Sequence, residues 1–319
     1  MASEDADSDN LTGGTLFAVV ASILLGFGPS MAKMAFDGGA DDISLQGLRF
    51  ALGALSIWPI LKLTGRKISP LRAMWGRVLS MGVLTTIGAS CYMASTRYID
   101  VPLASLIFFT YPLIIGIIAW LCRTEVMDIR KAVAVVTCFA GVGMTVGFIA
   151  GTPDWFGIGV AVLGACCIAM TFVISVPALH ATSSPVVLFT NCAIGAVIFA
   201  IGAILAPVVD YTPQLPQTSP GWVGLSLHTI VLNAGIGMLL AAIGRIGAVR
   251  ATVVNNLEPL VSTMVAAVLF SQFLDGFQWL GGALIMSAIF ILQSQRERNQ
   301  PRRHRRLSWV HRLRGIGRP

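Results

Sequence analysis

A carboxylate and two amides interrupt the apolar stretch Arg250–Phe270, namely Glu258, Asn255 and Asn256. A charged side chain at the centre of a bilayer costs at least about 2–3 kcal/mol, so such residues usually have a function. On a helix, Asn255, Glu258 and Ser262 share one face, because positions three and four apart stack. Glu258 is therefore a candidate to bind a cationic or amino-bearing solute or to carry a coupling proton. A carboxyl group that serves only helix packing is the alternative.

Four further polar residues in apolar stretches are weaker candidates for solute binding: Arg49, Asn233, Tyr92 and Thr110. Arg49 is the basic residue deepest inside an apolar segment. It can pair with a carboxylate or carbonyl groups to hold helices together, or it can contact an anionic solute. Asn233 and Tyr92 can line a cavity or make packing hydrogen bonds between helices.

The composition places these residues in a membrane protein. The chain is 55% hydrophobic and 12% charged, with mean hydropathy +0.78, whereas soluble domains carry about 25% charged residues. The six cysteines lie in apolar segments without CxxC spacing, so neither disulfides nor a metal site nor another cofactor is predicted. The net charge of +7 does not indicate nucleic acid, since nine of the 22 Lys and Arg residues lie in the tail Arg296–Arg318.

The hydrophobic pattern predicts ten transmembrane helices, using windows of about 20 residues. Nineteen of the 22 Lys and Arg residues fall on one side of the membrane, and only Lys33 and Arg97 fall on the other. The positive-inside rule therefore predicts a multi-pass protein of the cell (inner) membrane with both termini in the cytoplasm. The ten segments lie near 13–35, 43–62, 73–96, 101–121, 130–150, 156–178, 185–206, 221–243, 248–270 and 276–294.

The chain also matches itself after a shift of 147 residues. Nine identities without a gap join the region Trp75–Asp128 to its copy, including Pro112 with Pro259. A shift of 142 places Asn191 opposite Arg49. Each half holds five predicted helices, and an odd number inverts the second half. The fold class is therefore an all-α polytopic membrane protein with two inverted five-helix repeats. The predicted divisions are 1–12, 13–150, 151–294 and a basic cytoplasmic tail, 295–319.

The repeat gives each half a proline-interrupted helix. Pro259 follows Glu258, and Pro112 follows Tyr111, which occupies the position equivalent to Glu258. Proline lacks an N–H and kinks a helix. We expect the two kinked helices to face each other across a water-accessible cavity, with Tyr111 and Thr110 opposite the carboxylate.

The order and spacing of these segments resemble the drug/metabolite transporter superfamily, specifically the EamA-type bacterial permeases with ten helices. The resemblance spans residues 13–294 and implies transport of small metabolites or drugs, usually outward, through a cavity between the repeats. One departure is Gln272, which stands where Glu125 ends the corresponding helix of the first repeat. The resemblance rests on "GLRFALGAL" with Arg49, on "VPLASLIFFTYPLIIGIIAWLCRTE", and on its echo "VRATVVNNLEPLVSTMVAAVLFSQFLDGFQWLGGALI".

Together these features predict a secondary active transporter of an amino-acid-like or cationic solute, working by alternating access at a midplane cavity. The predicted partners are a small-molecule solute and membrane lipid. The basic tail is either a disordered anchor on the inside or a basic interfacial helix that contacts anionic lipid. A polytopic membrane enzyme and a scaffold without transport are the alternatives. The four histidines do not converge with Asp and Ser in a catalytic pattern, which disfavours the enzyme. The solute and the oligomeric state are left open by the sequence.

Overall fold

A computed structural model of the chain describes residues 2–65, 74–121, 129–147, 154–181, 184–246, 251 and 254–299. The end of the basic tail and Glu125 lie outside these ranges. Every regular element within them is helical, without strands. The α-helices are α1 (Ala2–Asp37), α2 (Asp42–Leu63), α3 (Trp75–Ser95), α4 (Val101–Phe108), α5 (Tyr111–Leu121), α6 (Ile129–Gly147), α7 (Trp155–Ala181), α8 (Ser184–Leu205), α9 (Ser219–Ile246), α10 (Glu258–Phe270) and α11 (Gly276–Asn299).

Six of these helices are long and apolar enough to cross a membrane: Thr12–Asp37, Asp42–Leu63, Trp75–Ser95, Trp155–Ile174, Pro185–Val208 and Ser219–Ile243. Four shorter apolar stretches, Val101–Ile115, Val133–Val142, Glu258–Phe270 and Gly276–Ile291, lie in the remaining predicted segments. The structure is therefore an all-helical, multi-pass membrane protein. The total of ten crossings stays a prediction, because the shorter stretches do not reach the length of a span on their own.

The fourth and ninth predicted helices are each interrupted at the same place in their repeat. α4 ends at Phe108 and α5 begins at Tyr111, while residues 256–257 form a turn before α10 begins at Glu258. In each case proline is the second residue of the new helix. The first turn of a helix leaves its N–H groups unbonded, so proline costs little there. The expected kinks are thus breaks of two residues.

Eight helical segments close into a ring in which the repeats alternate. Going around the ring, the order is α1, α9, α2, α8, α3, α7, α4–α5 and α10, which returns to α1. Each member lies between two helices of the other repeat. The fifth helices of the repeats, α6 and α11, pack mainly against each other beside the ring.

Exchange of the two repeats leaves this pattern of contacts unchanged. α1 packs on α9 as α7 packs on α3, and glycines mark the close approach in both pairs. A Cβ atom at Gly88 would lie 2.9 Å from Cγ1 of Ile168, and one at Gly235 would lie 2.8 Å from Cγ of Leu25. Gly88 and Gly235 are the residues that the shift of 147 aligns. The internal repeat therefore appears in the packing as a pseudo-twofold relation.

The connections 38–41, 96–100, 210–218 and 271–275 lie together at one end of the bundle, here called the Asp41 end. The Asp41 carboxylate accepts hydrogen bonds from the hydroxyl of Tyr211 at 2.6 Å and from the backbone N–H of Gln214 at 3.0 Å. The N–H of Asp41 donates to the Gln214 carbonyl at 3.1 Å, and the N–H of Gln217 donates to the Gly38 carbonyl at 2.8 Å. These bonds join a connection of the first repeat to one of the second.

Candidate functional site

Glu258 is buried at the first turn of α10, with 8% of its surface exposed. The amide Nδ2 of Asn255 donates to Oε2 of Glu258 at 3.1 Å. The hydroxyl of Ser22 on α1 donates to the Ala18 carbonyl at 2.8 Å, and it lies 3.2 Å from the Val254 carbonyl and 3.4 Å from Oδ1 of Asn255. Within the described ranges, no Lys or Arg lies within 4.0 Å of this carboxylate. An amide and the start of a helix, which favours negative charge, therefore hold the carboxylate in place of an ion pair.

The start of α10 packs into the protein rather than towards lipid. A Cβ atom at Gly26 of α1 would lie 2.7 Å from Val261 and 3.0 Å from the carbonyl of Glu258. Asn255 and Ser262 are buried as well, with 7% and 0% exposure. The face that the sequence predicts for Asn255, Glu258 and Ser262 thus lies against α1 and the ring interior.

A row of hydroxyl groups crosses the ring one turn from Glu258. The hydroxyls of Ser262 and Ser105 lie 2.8 Å apart, and the Tyr92 hydroxyl lies 2.8 Å from that of Ser105. All three side chains are buried. Tyr92 belongs to α3 and Ser105 to α4, which are not neighbours in the ring, so this contact passes through its interior.

Aromatic rings line the same region. Tyr92 stacks on Phe108 with ring centroids 4.0 Å apart, and Tyr111 stacks on Phe172 at 5.5 Å. The ring centroids of Phe108 and Tyr111 lie 5.9 Å apart. Tyr92 is linked through the Ser105 hydroxyl to Ser262, which lies one turn along α10 from Glu258. A carboxylate beside aromatic faces is an arrangement that attracts organic cations, because the faces of these rings carry negative potential.

The relation between the two broken helices differs from the expected one. α4–α5 and α10 are neighbours in the ring and touch through Ser105 and Ser262, whereas we expected them to face each other across a cavity. In the ring, the pseudo-twofold axis passes between these two segments. The relation that exchanges them therefore also makes them neighbours. Thr110 is half-buried, and its hydroxyl donates to the Ile107 carbonyl at 2.7 Å, capping the end of α4.

Arg49 and Asn233 form a separate cluster between α2 and α9. Nη1 of Arg49 donates to Oε1 of Gln46 at 3.0 Å, and the guanidinium lies 4.7 Å from the ring centroid of Phe50. Nδ2 of Asn233 donates to the Arg49 carbonyl at 3.2 Å. Among the described residues, no carboxylate lies within 4.0 Å of Arg49. The guanidinium thus contacts residues of its own helix, and the bond between α2 and α9 comes from the Asn233 side chain. The structure does not bring this cluster together with Glu258.

Three site residues were not among the candidates from the sequence: Ser22, Ser105 and Phe108. Serine and phenylalanine are common in membrane helices, so their types carry no signal. Only the repeat points to Phe108, because it aligns with Asn255. The described residues contain no group of three or more His, Cys, Asp or Glu that could hold a metal ion.

A ring of alternating repeat helices around buried polar groups defines a polytopic, two-repeat membrane protein. The chain belongs to the EamA-like transporter family, whose family model matches residues 12–147 and 155–293. The predicted resemblance is thereby confirmed, and the protein is a membrane transporter of the drug/metabolite type. One crystal structure, described only as a protein, is 18% identical over 91% of this chain and 99% of its own, with TM-score 0.61. That likeness shows the fold alone. No curated protein matches the chain.

Proposed function

We propose that this protein is a secondary active transporter that exports a small cationic or amino-bearing solute, which binds at Glu258. The observation that supports this most is a buried carboxylate that has an amide for a partner, in a part of the ring interior that also holds the stacked rings of Tyr92 and Phe108. A positive solute supplies the missing counter-charge, and the faces of Phe108 and Tyr111 add cation–π attraction. Amino-acid-like solutes fit the same site through their ammonium group.

The transport cycle exchanges the solute for a proton at the same carboxylate. Glu258 holds a proton when the solute is absent and releases it when the positive solute arrives, since hydrocarbon surroundings tolerate only one of the two. The proton moves inward and the solute outward as the ring opens alternately at its two ends. Ten crossings with both termini in the cytoplasm place the Asp41 end outside the cell, in line with the basic residues predicted on the opposite side.

The test is transport by the purified protein in proteoliposomes with an imposed pH gradient. The solutes are a quaternary ammonium ion, a basic amino acid, a neutral amino acid and a dicarboxylate of similar size. We expect an acidic lumen to drive one of the positive or amino-bearing solutes into the vesicles. The lumen should become more alkaline as the solute enters, because a proton leaves in exchange.

Protein-free vesicles and vesicles with a collapsed gradient are the controls. Transport of the dicarboxylate alone would contradict the assignment of a positive solute to Glu258. Uptake of positive solutes at an unchanged rate after collapse of the gradient would contradict proton coupling while leaving solute binding in place.

A further inference from the structure

Arg97 is an exception in the charge distribution of the chain. Besides Lys33, it is the only basic residue that the predicted topology places on the side opposite the cytoplasm. The positive-inside rule disfavours such a position. The structure shows what Arg97 does at the Asp41 end.

The guanidinium of Arg97 contacts the first connection of the chain. Nη2 donates to the Ala40 carbonyl at 2.6 Å, and Nη1 lies 3.7 Å from Oδ2 of Asp42. The guanidinium also lies 4.2 Å from the ring centroid of Phe36. Arg97 directly follows α3, while Phe36 and Ala40 belong to the end of α1 and the α1–α2 connection. Because α1 and α3 occupy opposite positions in the ring, Arg97 spans its opening at the Asp41 end, here called the mouth.

Both segments that Arg97 joins are anchored to the second repeat. The connection 38–41 is bonded to Tyr211 and Gln214 through Asp41. On the side of Arg97, Nε2 of Gln272 donates to Oδ1 of Asp100 at 2.7 Å, and Oε1 of Gln272 accepts from the N–H of Val101 at 3.2 Å. A hydrogen bond between two anchored segments fixes the distance across the mouth.

Below Arg97 the ring interior is filled with apolar side chains. A buried cluster joins residues of α1, α2, α3 and α4 to residues of the connections: Phe36, Ala40, Leu45, Met93, Ile99 and Leu103. These side chains leave the mouth closed in this state. We propose that Arg97 is a latch that closes the ring at the Asp41 end, and that this mouth is a gate of the transport cycle. The gating role of this mouth rests on the proposed function, whereas the latch formed by Arg97 does not.

The chemistry of Arg97 suits a bond that must open again. Arginine offers five N–H donors in a planar fork, so it can bond a carbonyl, a carboxylate and an aromatic face together. The side chains of Arg97 and Asp42 are 33% and 31% exposed. Water can therefore replace these contacts when the latch opens, and their net strength stays moderate.

The test is hydrogen–deuterium exchange of the full-length protein in detergent, read by mass spectrometry without any solute. The variant is Arg97→Gln. Its matched control is Lys33→Gln, which removes a positive charge from the same end. Lys33 pairs with Asp37 on its own helix at 3.3 Å and does not span the mouth.

We expect amides in residues 34–45 and 92–103 to exchange about tenfold faster in Arg97→Gln, because local opening controls exchange. Lys33→Gln should leave residues 92–103 unchanged and confine any effect in residues 34–45 to the helical turn around Asp37, its partner. α6 and α11 should exchange alike in all proteins. If Arg97→Gln does not fold, Arg97→Lys is measured instead; it keeps the charge, loses the fork, and should accelerate the same segments by a smaller factor.

The latch is wrong if both segments exchange at the wild-type rate, if both variants accelerate them equally, or if all helices accelerate together. These outcomes are independent of the solute. Intact cation transport with unchanged exchange in Arg97→Gln would remove the latch and keep the proposed function. Faster exchange in Arg97→Gln, together with no transport of any solute by the wild type, would keep the latch and remove the proposed function.

Discussion

The two broken helices share one backbone plan and carry opposite chemistry. Tyr111 is the first residue of α5, and Phe108 lies three residues before it. Glu258 is the first residue of α10, and Asn255 lies three residues before it. Both pairs are three residues apart and align after the shift of 147. In the first repeat the pair packs into an aromatic row, and in the second it makes a hydrogen bond. The duplication thus supplies the geometry twice, while the charge is present in one copy.

Electrostatics explains why the two copies differ. The broken helices are neighbours in the ring and meet at the pseudo-twofold relation, with Ser105 and Ser262 in contact. A carboxylate in each copy would place two like charges close together in a medium of low dielectric, and that arrangement is disfavoured. One carboxylate and one aromatic wall avoid the repulsion, and this combination is compatible with the positive solute proposed above.

Transport gives the largest expected difference between the two copies. Glu258→Gln should lower the rate of cation transport by about tenfold or more, because an interaction with a charged group is worth roughly 1.5–3 kcal/mol. Tyr111→Phe keeps the aromatic face and should change the rate by about twofold or less. Both rates are measured in proteoliposomes at equal protein content. Equal losses in the two variants would mean that the charge is not what distinguishes the repeats.

Stability should show the same difference on a smaller scale. Asn255→Ala removes the hydrogen bond to Glu258 and should cost about 1.5–3 kcal/mol at a pH where that carboxyl group is ionised, the range for bonds to charged groups. Ser22→Ala removes a longer contact of 3.4 Å and should cost about 0.5–1.5 kcal/mol. Equilibrium unfolding in mixed micelles measures both. A larger loss in Ser22→Ala would place the support of the site in α1 and not in Asn255.

A smaller difference in stability is expected between alanine substitutions at the two aligned glycines, Gly88 and Gly235. Gly88→Ala and Gly235→Ala each overfill a helix contact, which costs about 1–3 kcal/mol. We expect Gly88→Ala to be the more destabilising, because its Cβ would also lie 3.1 Å from the rigid backbone carbonyl of Gly164. The neighbours of Gly235 are leucine side chains, which can move. Gly237→Ala, with nothing within 4 Å of its Cβ, is the control for thermal unfolding in detergent.

The smallest effect lies at the Asp41 end, away from both breaks. The hydrogen bond to Asp41 raises the pKa of Tyr211 from 10.0 to about 12, with partial burial adding to the shift. Because the pKa of Tyr211 is higher in the folded state, the bond contributes its full stability below pH 10. That contribution to the free energy of unfolding is lost as the pH rises towards about 12. An ultraviolet titration of phenolate should show that Asp41→Asn lowers the pH of one tyrosine step. Tyr211→Phe should remove that step, and a step that persists there belongs to another residue.

Several parts of the site follow from spacing along the chain. The distance of three residues predicts that Asn255 and Glu258 share one face, and the structure shows a hydrogen bond between them. The repeat predicts an interrupted helix at Pro112 in the first half and at Pro259 in the second, and both breaks are present. Residues so close along the chain stay near each other even across a two-residue break, so spacing in the sequence is sufficient for these contacts.

The sequence by itself determined the membrane class, the two repeats, the family and the buried carboxylate, because hydropathy, duplication and residue type are properties of the chain. Only the tertiary structure decided the order of helices around the ring. That order brings Ser105 to Ser262, Tyr92 across the interior and Arg97 across the mouth. An apolar side chain in a bilayer is equally well solvated by lipid and by another helix, so its type does not say which helix it faces.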